Sequence, residues 1–186
     1  MKSTILLLVV VFFTEIISAN SKPNFVWIIS EDNSIHYLDH FFPNGADTPN
    51  IKNMATNGVT FDNAFSNAPV CSVARSTLIT SCYAPRIGAQ YHRKSMVAHM
   101  PEGLKMFPSY LRDKGYYTTN RSKTDYNLKQ GKGVWDQSSR KAHWRNRKSG
   151  QPFFHKASYA ISHESSLHFK ESAIKDQPTV NKSQDV

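Results

Sequence analysis

The chain has 186 residues, enough for one ordinary domain or a large piece of one. Apolar residues make up 39% and charged residues 20%, which excludes a disordered tail and a fibrous protein. Lys and Arg exceed Asp and Glu by 23 to 14, and the net charge of +9 favours anionic partners: nucleic acid, acidic lipid, or a sulfated or phosphorylated substrate. Two cysteines, Cys71 and Cys82, are too few for a disulfide-stapled mini-protein or a multi-cysteine metal module.

In chain order, residues 1–19 come first and read as a signal peptide. Lys2 supplies the positive start, Ile5 to Phe13 is an unbroken apolar run, and Ile17-Ser18-Ala19 offers small residues for cleavage. The run is short for a bilayer span and lacks a stop-transfer flank, so no stable membrane anchor is expected, although an anchor or a buried strand is the alternative reading. Cleavage near Ala19 predicts a secreted or periplasmic protein in an oxidising compartment. Residues 20–186 form the rest. Asn24 to Ser30 is continuous, apolar and rich in β-branched and aromatic side chains, which predicts a strand buried on both faces. Thr48-Pro49 opens a helix that Gly58 ends, and Leu104 to Lys114, closed by Gly115, predicts another. Tyr116 to Asn120 and Phe153 to Ser162 read as further strands. Strands alternating with helices predict an α/β fold with a mostly parallel sheet.

Residues 129–152 stand apart as a long basic loop. Lys129, Lys132, Arg140, Lys141, Arg145, Arg147 and Lys148 face a single acid, Asp136, with Trp135 and Trp144 interleaved. This is either a solvated run or the wall of a cleft for a polyanionic chain, with a tryptophan stacking on sugar rings and His92 and Arg93 contributing to the same cleft. Export argues against nucleic acid as the partner. Residues 175–186 are polar, without periodicity, and read as a frayed end.

In open parallel sheets, ligands gather beyond the carboxyl ends of the strands. Three such ends carry reactive groups here: Glu31-Asp32, Lys123 and His163. Paired carboxylates at a strand end suit a hard divalent cation. Between them lies Cys71-Ser72-Val73-Ala74-Arg75-Ser76-Thr77-Leu78-Ile79-Thr80, which resembles the signature of the type I sulfatases, in which the cysteine is converted to the aldehyde formylglycine. The surrounding order agrees. Asn24 to Asp32 resembles the strand ending in that family's acidic pair, and Thr48-Pro49-Asn50-Ile51 with Gly58-Val59-Thr60-Phe61 resembles its next helix and strand. Gly115-Tyr116-Tyr117-Thr118-Thr119 resembles the strand before its lysine motif, where Lys123 stands, and His163 resembles a histidine ending a later strand. The likeness covers nearly all of residues 24–165. Val73 departs from the usual Pro or Ala, Ser81 from Gly, and Asp125 from the frequent His; no counterpart of the family's later Asp-Asn metal pair or second lysine occurs.

The resemblance implies an alkaline-phosphatase/sulfatase-like sheet flanked by helices, incomplete, with this chain as the N-terminal part of the catalytic domain. It implies a sulfuric ester hydrolase acting on a sulfated carbohydrate or polysaccharide, with Ca²⁺ (or Mg²⁺) held by Glu31, Asp32 and converted Cys71. Arg75 would orient the aldehyde hydrate, Lys123 would bridge it to the sulfate, and His163 would contact the sulfate or protonate the leaving oxygen. Asp125 ranks as a supporting residue, and His92, Arg93, Trp144 and Arg145 as substrate candidates. The expected partners are an anionic sulfated substrate and a formylglycine-generating enzyme. The residues after Cys71 read as the start of a helix, with Ser72 and Ser76 as capping candidates. A disulfide between Cys71 and Cys82 is the plainer alternative to conversion. Missing half of the cation shell implies weak cation binding and weak or no activity for the chain alone. A non-catalytic polyanion-binding remnant, or a phosphatase or phosphodiesterase on the same fold, are the alternative functions. Asn120 and Asn181 begin glycosylation sequons.

Overall fold

The computed structural model describes residues 22–93, 98–168, 170 and 172; the expected signal peptide, Asn181 and the expected frayed end lie outside them. Four strands, β1 (Phe25–Ser30), β2 (Tyr117–Arg121), β3 (Gln137–Ser139) and β4 (Phe153–Tyr159), form one sheet in the order β1-β4-β2-β3. Every pairing is parallel, with Phe25 opposite Phe154 and Tyr117 opposite Phe153. The helices are α1 (Pro49–Thr56), α2 (Cys71–Thr80) and α3 (Phe107–Asp113). All strands therefore end at the same edge, which gathers the residues that follow them.

The core cluster joins Ile79 of α2, Phe154 of β4, Met106, Leu128, Val134 and Trp135, with Trp27 and Leu111 packed against it. Aromatic rings close that layer: Phe154 lies edge-on to Trp27 and Phe107 and stacks on Trp135 at 5.9 Å. Trp135 thus belongs to the interior, not to a sugar-stacking surface. The middle of β2, Thr118 to Asn120, is polar yet fully buried, because its side chains are paired. The Thr118 hydroxyl donates to the Val134 carbonyl, Thr119 bonds His155, and Asn120 Nδ2 donates to Ser138. Asn120 is 0% exposed, so its sequon is closed to an oligosaccharide in this fold.

Several expectations are corrected. β1 is not buried on both faces: it is an edge strand, and Phe25, Val26 and Ile28 are 43%, 52% and 64% exposed. Gly58 to Phe61 forms no strand, and Val59 and Phe61 lie open. The third helix starts at Phe107, not Leu104, because Pro108 sits in its first turn, where a missing N–H costs nothing. β4 stops at Tyr159, and the basic loop contains β3 and a 3-10 turn over Trp144–Asn146.

Candidate active site

α2 begins at Cys71 without a side-chain cap, and Val70 occupies the N-cap position. Ser72 and Ser76 do not cap it. The Ser72 hydroxyl bonds His92 Nδ1 at 2.7 Å, and Ser76 donates to the Ser72 carbonyl while accepting from the Asn127 N–H. The helix ends on Ser81 at φ 57, the left-handed turn the missing glycine would otherwise make. Asn127 also fixes the following loop, donating to the Ala89 and Tyr91 carbonyls and accepting from the Arg93 N–H.

Glu31 follows β1, and its N–H donates to the Tyr159 carbonyl at the end of β4. Its side chain is 4% exposed and receives two cations: Arg75 Nη1 at 3.0 Å and Lys123 Nζ at 2.8 Å. Arg75, one turn into α2, spends its other donors on the Thr124 carbonyl, the Lys123 carbonyl and Ser158 Oγ. It therefore orders the Lys123–Asp125 turn, and its guanidinium makes no hydrogen bond to the Cys71 thiol. Cys71 instead receives Arg93 Nη2 at 3.5 Å, and Arg93 grips Asp125 through both carboxylate oxygens at 3.2 and 3.0 Å. Lys123 Nζ lies 3.7 Å from Asp125. Cys71, Arg93, Asp125, Lys123, Glu31 and Arg75 thus form one connected chain of contacts.

The charges tune one another. Burial pushes the Asp125 carboxyl up, but hydrogen bonds from Arg93 and Cys71 and the charge of Lys123 outweigh it and hold the group at about 2. Burial, then the Asp125 carboxylate, pushes the Cys71 thiol up, so unmodified Cys71 stays protonated at neutral pH. Cys71 and Cys82 are both free, with no disulfide between them. Of the five non-glycine residues with positive φ among the described residues, four (Asp32, Arg93, Ser122 and Asp125) lie in or beside this cluster. Backbone strain of this kind collects at functional sites.

Asp32 Oδ2 accepts the Glu164 N–H, and the Ser162 hydroxyl donates to the Glu31 carbonyl, tying the segment after β4 to the site. His163 caps the 3-10 turn Glu164–Leu167: its Nδ1 accepts the Ser165 N–H, which in the neutral ring leaves the proton on Nε2. A cleft of about 610 Å³ opens here, lined among others by Asp32, His36, Tyr37, Asn44, Ile161 and His163. Gly45 shapes its wall, since a Cβ there would meet the Leu38 and Asp39 backbone at 2.4 Å.

Two expectations do not match the geometry. Trp144 and Arg145 are not at the site; Trp144 stacks on Phe153, where β4 begins, six residues and roughly 20 Å of strand from Tyr159. The expected cation shell is not assembled either. Both Glu31 oxygens are taken by cations, one Asp32 oxygen is taken by a backbone N–H, and among the described residues no three His, Cys, Asp or Glu side chains converge. The described residues do not fit a cation site as they stand.

Sequence reasoning missed Lys156. It is 3% exposed on β4, its Nζ donating to Asn120 Oδ1 (2.8 Å), the Lys123 carbonyl (2.9 Å) and Ser158 Oγ (3.3 Å). Burial, reinforced by the Arg75 charge, lowers its ammonium to about 7. The signal was present: a lysine in the middle of an aromatic-rich strand run has to be paired.

Comparison with known proteins bears on this arrangement. The Sulfatase family model matches residues 23–185. An ulvan-active sulfatase from Formosa agariphila is 36% identical over 156 residues, covering 78% of this chain and 26% of that protein. Human N-acetylgalactosamine-6-sulfatase is 27% identical over 107 residues, covering 53% of this chain and 20% of that one. A solved structure in complex with its substrate D-glucosamine-2-N,6-O-disulfate superposes with a TM-score of 0.65 at 17% identity, covering 77% of this chain and 35% of that one. The chain therefore spans about a quarter of the length of the first of these relatives, and its parallel sheet is part of an alkaline-phosphatase-like fold. Matched over residues 23–185, the chain belongs to the sulfatase family.

Proposed function

We propose that this chain carries the nucleophile and anion-binding part of an exported hydrolase that cleaves sulfate esters on a sulfated carbohydrate, with Cys71 converted to formylglycine by the host's modifying enzyme. The observation that carries the reading is the position of Cys71. It opens α2 beside Arg93, Asp125 and Lys123, while its thiol is held protonated and so is a poor nucleophile unconverted. Among the described residues no helix is long and apolar enough to cross a bilayer.

Conversion changes the chemistry available. The hydrated aldehyde has two geminal hydroxyls. One attacks sulfur, the S–O bond to the sugar breaks, and the departing oxygen takes a proton. The second hydroxyl then loses its proton and collapses to the carbonyl, breaking the C–O bond to sulfur and releasing sulfate. A plain serine or cysteine sulfate would stall at the first stage.

This chain's residues divide the work. Lys123 and Arg93 supply positive charge where the sulfate oxygens would sit. Arg75 sets the Lys123–Asp125 turn and holds Glu31. His163 carries a proton on Nε2 at the edge of the 610 Å³ cleft, which is where a sugar would lie, and donates it to the leaving oxygen. Asp125 accepts a hydrogen bond from the residue at 71 and remains ionised. A divalent cation would add charge neutralisation in this family, but Glu31 and Asp32 are otherwise engaged here, and no step above passes through one. For the same reason the chain alone is expected to turn over substrate weakly or not at all.

The test is the mass of the tryptic peptide Asn53–Arg75 from the native host after reduction and alkylation. A peptide without an alkylatable thiol that reacts with a hydrazine probe supports the reading. An ordinary alkylated cysteine refutes conversion and leaves a non-catalytic anion-binding chain.

A further inference from the structure

The segment that crosses the sheet between β3 and β4 has no part in the Cys71 cluster. It leaves β3 at Ser139, level with Arg121 and hence with Ala157, and reaches the foot of β4 at Phe153, a descent of roughly 13 Å along the strands. Along that path lie Arg140, Lys141, Arg145, Arg147 and Lys148. No Asp or Glu occurs between Asp136 and Glu164, and the Asp136 carboxylate is already held by Arg112 and the Thr118 N–H. None of the five cations has a carboxylate partner among the described residues.

Two of the five are fixed in place. Trp144 lies flat on Phe153, with ring centroids 4.9 Å apart. The Arg145 guanidinium sits 4.6 Å above the Trp144 ring, and that of Arg147 lies 5.0 Å from both Trp144 and Phe153. His143, stacked on His155, orients Arg145 further through its Nε2 at 2.8 Å. Guanidinium groups held by stacking lose little freedom on binding an oxyanion, and a planar fork suits sulfate. Arg140, Lys141 and Lys148 flank this pair in the same segment and are exposed.

We propose that this stripe is a second binding surface, separate from the Cys71 site, for a linear sulfated polysaccharide. The choice of a sulfated ligand rests on the proposed activity; the existence of an anion-binding stripe does not. The surface would hold a chain on the protein while the cleft by His163 meets one ester, raising the local concentration of the next.

The test uses the 186-residue chain with Cys71→Ala, which removes turnover from the question, and heparin as the sulfated probe. Binding is followed by calorimetry between 50 and 300 mM salt. Neutralising Arg140, Lys141 and Lys148 together (each to Gln) is expected to weaken heparin binding about tenfold or more at low salt. It should also flatten the slope of log K against log salt by about two to three. A control with equal charge loss elsewhere, Arg86→Gln, Lys105→Gln and Lys114→Gln, is expected to change affinity less than about threefold. Equal weakening by both triples would mean that net charge alone binds heparin, and would overturn the stripe. Double-stranded DNA bound as tightly as heparin would overturn the polysaccharide assignment. No heparin binding by the Cys71→Ala chain before any cation is neutralised, together with a converted Cys71 in the protein from its native host, would sink this surface and leave the proposed activity standing.

Discussion

Lys156→Met removes the one lysine buried in the sheet among the described residues. The wild-type ammonium titrates at about 7, against about 10.5 in the unfolded chain, because burial and the Arg75 charge disfavour the cation more than Glu31 favours it. Between these two values the unfolded state binds the proton and the folded state does not, so stability rises with pH across this window and falls as pH drops toward 7. For a single site the gain from pH 7 to pH 9 is about 2 kcal/mol, and for a chain of this size that is a rise of roughly 4–8 °C in Tm. Lys156→Met has no such proton to lose. Its three hydrogen bonds, to Asn120, the Lys123 carbonyl and Ser158, also vanish, at about 1 kcal/mol each. The variant should therefore be the less stable chain at pH 9, and the difference should shrink or reverse toward pH 6. Thermal unfolding of both chains at half-unit steps from pH 6 to 9.5 measures this, and the difference between them cancels groups common to both. Parallel curves would refute the reasoning: they would show Lys156 neutral or charged throughout, and its pocket either far drier or far wetter than the contacts imply.

The other expectations concern the residues around Cys71. Glu31→Gln leaves Arg75 and Lys123 facing a neutral amide in a buried site, and should cost about 3–5 kcal/mol in urea unfolding. Asp125→Asn should lower the Cys71 pKa, since the carboxylate is the second cause of its rise after burial, and thiol reactivity against pH would show faster alkylation at pH 8. Because Asp125 is held at about 2, its ion pair stabilises the fold above about 4 and is lost as pH falls from there toward 2; with Arg93 half-exposed, the loss is about 1 kcal/mol in acid unfolding of wild type against Asp125→Asn. Val73→Pro should leave the fold nearly unchanged, since the first α2 backbone bond comes from the Ala74 N–H, and it should raise the aldehyde fraction of the Asn53–Arg75 peptide. Millimolar Ca²⁺ should move Tm by less than about 1 °C, because both Glu31 oxygens already face cations; a larger rise would show that Lys123 gives way to the metal.

What the sequence made legible and what it hid follow from the range of the interactions involved. β1, α1, β2 and β4 were visible because their signals are local: apolar runs, Thr48-Pro49, and glycine stops. The ends were less so, because Pro108 and the turn after Tyr159 act within two or three residues. The burial of β1 is misread from sequence because an apolar run says nothing about how many strands lie beside it, and among the described residues β4 alone pairs with it. Glu31, Lys123 and Cys71 could be placed together because each follows a strand or opens a helix at the same sheet edge. Their partners could not. That Arg75 serves the 123–124 carbonyls and not Cys71, and that Arg93 takes the place beside the thiol, depends on contacts spanning 22 to 49 residues.

The two tryptophans of the basic loop show the same limit. Both stand among cations in the sequence and both invite a sugar-stacking reading, yet they end in different environments. Trp135 precedes β3 and is drawn into the layer of Phe154 and Ile79, because Asp136 anchors its neighbour to the β2 backbone and to Arg112. Trp144 follows β3 and lies on the side of β4 that Phe153 and His155 present, opposite to the side of Phe154 and Lys156, since successive strand residues alternate. Composition could not separate them, but the register of β4 does: the Phe154 side carries the core and the buried network behind Cys71, and the Phe153 side carries the stacked arginines. The positive charge of this chain is thereby divided into two working populations. One is buried and neutralised by Glu31; the other is exposed and has no acid within the segment to neutralise it. An anionic chain long enough to touch both would be drawn to the second and cleaved, if at all, at the first.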